Sequence, residues 1–111
     1  MSATWPPPPD LESIRELVRA ADTEGFISIM GCPADEYDIE AEALFAAIGL
    51  SSTAELVVPN ILSHIERIWS RSFSYDDDIL AKSRPELLTL AEEIARVFGP
   101  EAQPGVRERS Q

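Results

Sequence analysis

The side chains able to do chemistry are few and unevenly placed. Residues 31–42, Gly-Cys-Pro-Ala-Asp-Glu-Tyr-Asp-Ile-Glu-Ala-Glu, hold the only cysteine, one of two tyrosines and five carboxylates: Asp35, Glu36, Asp38, Glu40 and Glu42. They lie inside an interval, residues 20–66, without a single Lys or Arg. A second acidic group, Asp76-Asp77-Asp78, follows the other tyrosine, Tyr75. Carboxylates at this density suggest a metal, and the spacing argues against one. A calcium loop needs glycine at its sixth position and glutamate at its twelfth. Counted from Asp38, those positions are Ala43 and Gly49. On a helix, Glu40 and Glu42 point apart, because residues two positions apart do not share a face. The 76–78 run reads as a helix start, where the dipole favours negative charge.

His64 is the only histidine, which excludes a two-histidine zinc site. It borders an apolar stripe and reads as a flank residue with one polar edge in water. Cys32 and His64 are the types of a nucleophile and its base, but nothing around them supports that pairing. Cys32 before Pro33 reads instead as a small, half-buried apolar contact. The five glycines are scattered, so no phosphate-binding loop is present. The chain is not expected to be an enzyme or to carry a cofactor or a metal.

The formal charge of −11 points to binding. Phosphate backbones and anionic membranes are held by Lys and Arg, so neither nucleic acid nor a membrane is the expected partner. A basic protein is, through steering and complementary potential. Interface anchors are commonly aromatic, so the expected protein-binding residues are Asp35, Glu36, Tyr37, Asp38 and Glu40, with Tyr75, Asp76 and Asp77 repeating the chemistry. The plainer alternative is that the acidity only aids solubility. A lone cysteine makes no internal disulfide, and no basic, apolar leader opens the chain, so a cytoplasmic location is expected.

The elements that position these residues are helical. The 111 residues suffice for one domain. Residues 1–9, with four consecutive prolines, read as a tail. Residues 10–21 carry Leu11, Ile14, Leu17, Val18 and Ala21 at helical spacing behind an Asp10 cap. Asp22-Thr-Glu-Gly25 ends that helix, with Gly25 expected at the positive-φ cap. Phe26 to Met30 reads as a buried extended linker placing Phe26 and Ile29 on the core. The next helix follows Gly31-Cys32-Pro33, with Asp38 as its cap, a core face of Ile39, Ala43, Ala46, Ala47 and Leu50 widened by Leu44, Phe45 and Ile48, and a Gly49 ending. Ser52 and Glu55 form a capping box, and one helix is expected over residues 53–73, bent near Val58–Pro59, with Ile61, Ile65, Ile68, Trp69 and Ser72/Phe73 at helical spacing beyond the bend. A short anchor at 79–81 and a second capping box, Ser83 to Glu86, precede a last helix with Leu87, Ala91, Ile94, Ala95 and Phe98, closed by Gly99. Residues 100–111 lack apolar anchors. The expected fold is all-α, a bundle-like domain of about four helices over residues 10–99.

Three segments carry a resemblance: the turn Gly31-Cys-Pro-Ala-Asp-Glu-Tyr-Asp38, Glu40 and Ile48 after it, and Ile65-Glu-Arg-Ile-Trp-Ser-Arg-Ser-Phe73. With the segments between, the chain over residues 11–98 resembles the YugE-like family, small helical bacterial proteins of unknown function. Some relatives serve as immunity proteins of contact-dependent inhibition or related toxin systems. A Trp-Asp-Pro precedes the loop in that family; here Ala21-Asp22-Thr23 keeps only the aspartate. The resemblance implies an all-α fold without known catalytic residues. It makes the most concrete expectation an immunity-type protein that neutralises a basic partner such as a toxin. The alternative is a homodimeric structural or regulatory adaptor, joined through apolar helix surface near Trp69 or Phe45.

Overall fold

The computed structural model describes residues 8–33, 35–100 and 102. Apart from residues 8, 9, 100 and 102, the two expected tails lie outside them. Four helices occupy the described chain, with no strand: α1 (Leu11–Ala21), α2 (Asp38–Ile48), α3 (Val58–Phe73) and α4 (Asp77–Phe98), plus a 3-10 turn at Thr53–Glu55. Each helix packs on two others, α1 on α2 and α4, and α3 on α2 and α4, which closes a ring of four. The domain is all-α, as the apolar spacing predicts.

The α1 stripe works as expected. Asp10 accepts from the Ser13 N–H at 2.9 Å, and Ile14 and Val18 are buried, with Leu17 and Ala21 packed beside them. The residue that turns the chain is Asp22, in left-handed conformation (φ 44°, ψ 53°), ahead of Gly25 (φ 70°). In α3, Ile61, Ile65, Ile68 and Trp69 are buried. In α4, Leu87, Leu90, Ala91, Ile94, Val97 and Phe98 are buried. Gly99 closes α4 because of space: a Cβ there would lie 2.5 Å from the Leu56 carbonyl oxygen.

Six expectations are corrected. The buried face of α2 is Tyr37, Ala41, Leu44 and Ile48, with Phe45 and Ala47 packed beside it, so the margin of the expected face is its centre, while the expected centre, Ile39 and Leu50, is 76% and 95% exposed. The helix is apolar nearly all round, so periodicity cannot set its rotation; Tyr37, whose ring and hydroxyl both have partners inside, does. Gly49 stays in right-handed helical conformation (φ −64°), so the expected folding back of Leu50 does not occur. The cap of α2 is Tyr37 by position, its side chain making no capping hydrogen bond, and Asp38 faces α1 instead.

The expected bent helix over 53–73 is a break. Glu55 accepts from the Ser52 N–H at 2.9 Å, the 3-10 turn ends, and Leu56 drops into the core before Val57 runs extended. Pro59 then sits in the first turn of α3, where its missing N–H costs no internal hydrogen bond. At 83–86 the opposite occurs: α4 is continuous for 22 residues through Pro85. Pro85 is exposed and cannot donate to the Ala81 carbonyl. The helix persists because Leu80 packs against the core on one side of it and Leu87 and Leu90 on the other. Finally, Ile29 is 83% exposed and lies over Gly25, so the 26–30 segment contributes Phe26 and Ile27 to the core but not Ile29.

The rotation of α2 has a direct test. Leu44→Ala should destabilise the fold by about 2–5 kcal/mol through transfer and cavity terms. Leu50→Ala should change stability by no more than about 0.5 kcal/mol. Urea unfolding of the two variants distinguishes the observed face from its opposite.

Candidate functional site at the acidic end of the bundle

Neighbouring helices alternate in direction, so α1 and α3 end where α2 and α4 begin. That end is tied together by three aromatic side chains whose polar tips converge on residues 22–24. The Tyr37 hydroxyl, from the start of α2, donates to Asp22 Oδ1 at 2.7 Å and accepts from the Glu24 N–H at 2.9 Å. The Trp69 indole N–H, from α3, donates to Thr23 Oγ1 at 2.8 Å. The Tyr75 hydroxyl, just before α4, donates to the Glu24 carboxylate. Asp22 also accepts from the Ser28 N–H at 2.8 Å and the Ile27 N–H at 3.2 Å, which folds the 25–30 turn over it. Around these bonds the rings pack: Phe26 stacks on Tyr37 at 5.6 Å, and Phe73 meets Phe26, Tyr37, Trp69 and Tyr75 at 5.7–6.5 Å.

The electrostatics follow the geometry. Desolvation pushes the Asp22 carboxyl up, but hydrogen bonds from Ser28, Tyr37 and Ile27 outweigh it and hold the group at about 2, below its usual 3.8. Burial, and then the Asp22 carboxylate, push the Tyr37 phenol up to about 12. Burial and the Glu24 carboxylate push Tyr75 up as well.

The residues expected to bind a partner divide into two groups. Asp35 and Glu36 are exposed in the turn before α2, and Asp76 and Asp77 are exposed at the start of α4, Asp76 also accepting from the Ile79 N–H at 2.8 Å. Asp78, beside them, is exposed too. Tyr37 is a correction: it is fully buried and anchors the interior, because an aromatic ring with a satisfied hydroxyl is more stable inside than in water. Glu40 is a second correction, only 7% exposed. Asp38 is half-buried between two arginines of α1, 3.1 Å from Arg19 and 3.8 Å from Arg15, and Glu42 lies 3.3 Å from Arg15. These bridges join α1 to α2. Tyr75 is half-buried with its hydroxyl committed to Glu24.

Sequence reasoning missed Asp22, Thr23 and Glu24, read only as a helix ending. The available signal was that buried tyrosine and tryptophan need partners for their polar tips.

The other candidates are plainer. His64, near the opposite end, lines an open polar cleft with Ser51, Glu55, Asn60 and Ser63. Its Nδ1 is 3.2 Å from an Arg67 nitrogen, and burial, with that arginine, lowers its pKa. Cys32 is a half-buried free thiol whose backbone N–H donates to the Phe26 carbonyl at 2.8 Å. Trp69 is fully buried and Phe45 half-buried, so Trp69 itself adds nothing to the apolar helix surface expected near the two. Among the described residues, no group of three or more His, Cys, Asp or Glu side chains converges as metal ligands would, and no helix is long and apolar enough to cross a membrane.

The Asp22–Tyr37 pair makes stability depend on pH at both extremes. The folded Asp22 pKa is depressed, so its contribution is full above about 3.8 and is lost as pH falls through about 2. The folded Tyr37 pKa is raised, so its contribution is full below about 10 and is lost as pH rises through about 12. Urea unfolding across pH should show both declines, with the alkaline one reduced in Tyr37→Phe and the acid one flattened in Asp22→Asn.

Comparison with family models, with curated proteins and with solved structures gives no match. The functional reading therefore rests on the charges and contacts of this chain.

Proposed function

We propose that this domain binds a basic protein through the acidic end of its bundle, most concretely as an immunity-type protein that occupies the basic surface of a toxin. The starts of α2 and α4 share that end, and Asp35, Glu36, Asp77 and Asp78 are exposed there without ion pairs among the described residues. Acidity alone is equally consistent with solubility. The observation that carries the reading is the apolar surface at the same end: Ile29 is 83% and Met30 66% exposed in the α1–α2 connection, and Ile79, in the first turn of α4, is 43% exposed. Apolar side chains among unpaired carboxylates make the kind of surface in which anchors are buried and charges select the partner. These residues take the anchoring role that Tyr37 cannot perform from the core. The charges contribute mainly to association rate and specificity, which makes binding sensitive to salt.

A pull-down with the intact chain from its native host, followed by calorimetry with the basic protein recovered, tests this. Reversing Asp35, Glu36 and Asp77 to Lys should weaken binding by at least about tenfold, and wild-type binding should weaken as salt rises. Affinity unchanged by the triple reversal would remove the acidic end as the binding surface.

A further inference from the structure

The outer face of α2 has no partner within the domain. Ile39, Ala43 and Ala46 are exposed along it, and Leu50 continues the line because Gly49 keeps helical backbone. Ile39 and Leu50 are 76% and 95% exposed, the most exposed pair of large aliphatic side chains on one helical face of the described chain. A surface helix normally buries one stripe and wets the other; α2 is apolar on both.

The spacing of that outer stripe is symmetric. Positions 39, 43, 46 and 50 are separated by four, three and four residues, so a two-fold axis between Ala43 and Ala46 maps Ile39 onto Leu50 and Ala43 onto Ala46. Two antiparallel copies of the helix would then meet with small residues at the crossing, where backbones approach closely, and a large aliphatic residue at each end packed against its counterpart. An isologous contact needs this self-complementarity.

Charge points to the same occupant. Two chains of net charge −11 repel over most of their surfaces, but this stripe is uncharged. The exposed acid beside it, Glu42, is held 3.3 Å from Arg15 of its own chain, and the same axis places it opposite Ala47 and not opposite its own copy. We infer that the outer face of α2 is the interface of a two-fold homodimer, with α2 packed antiparallel on α2 of a second copy. The area sets its strength. An 11-residue helix is about 16 Å long and about 10 Å across, so this face covers less than the roughly 800 Å² per partner of a standard interface. The dimer is accordingly concentration-dependent, not obligate. It leaves the acidic ends of the two copies at opposite poles, free for other contacts.

Sedimentation equilibrium of the full chain over a range of concentrations tests the inference. A reversible monomer–dimer equilibrium is expected, held or strengthened by added salt, because screening relieves repulsion while an apolar contact persists. Ile39→Glu and Leu50→Glu should each raise the dimer dissociation constant by at least about tenfold. Both positions are exposed in the monomer, so the far-UV circular dichroism and melting temperature should match wild type. In a Cys32→Ser background, mixing Ala43→Cys with Ala46→Cys should give a disulfide-linked heterodimer in preference to either homodimer. A chain that stays monomeric at every concentration, or a dimer indifferent to both glutamate substitutions, overturns the inference. So does homodimeric disulfide formation in preference to heterodimeric, which means a different register.

Discussion

The hydrogen bond between the Tyr37 hydroxyl and the Asp22 carboxylate is the contact on which the rest of this fold depends. A fully buried phenol without a partner would carry the desolvation penalty of its hydroxyl, of order 1–3 kcal/mol. Asp22 removes that penalty, and it can do so because its own backbone is in the left-handed region, which a short acidic side chain tolerates better than most. The same carboxylate holds the Ile27 and Ser28 amides, so one residue ends α1, folds the following turn and fixes how α2 enters the bundle. Thr23 and Glu24 extend the arrangement to Trp69 and Tyr75. Three neighbouring loop residues thereby set the relative positions of all four helices at one end.

This arrangement separates the acidic residues by task. Asp10 and Asp76 cap helices, Asp22 and Glu24 hold aromatic hydroxyls, and Asp38 and Glu42 tie α2 to the arginines of α1. The structural acids are short of solvent or already partnered. What remains free at that end, Asp35, Glu36, Asp77 and Asp78, sits beside the exposed Ile29, Met30 and Ile79. A surface that combines unpaired charge with exposed apolar side chains is costly to maintain for solubility alone, since apolar exposure works against it. That conflict supports the binding proposal more strongly than the net charge does.

The second helix has a different relation to solvent. Its inner face is set by Tyr37, and its outer face is as apolar as many core stripes. The two proposed surfaces do not compete: one is the end of the bundle, the other a side of it, and they respond to salt in opposite ways.

The helix content and much of the core were legible in the sequence. The stripes of the first, third and last helices are amphipathic, and an amphipathic helix has one way to face a core, so Ile14, Val18, Ile61, Ile65, Trp69, Leu87, Ala91, Ile94 and Phe98 could be assigned from spacing alone. Asp10 and Glu55 were equally legible, because their hydrogen bonds are local. Of the candidate site, the carboxylates of 35–36 and 76–77 were legible as exposed charge, whereas the tyrosines expected among them are turned inward and the exposed Ile29, Met30 and Ile79 were not anticipated. Where the pattern is apolar on nearly all sides, as in α2, the sequence is degenerate and only long-range contacts choose: the reach of Tyr37 to Asp22, 15 residues away, sets the rotation of the helix. Tertiary structure likewise decided that Pro85 stays inside α4, since packing on both sides of it outweighs one lost hydrogen bond, and that Pro59 begins a helix because Leu56 is drawn into the core. The sequence by itself determined that the chain is helical and acidic; where α3 and α4 begin, which acids are structural, and which face of α2 meets water were decided by partners distant in sequence.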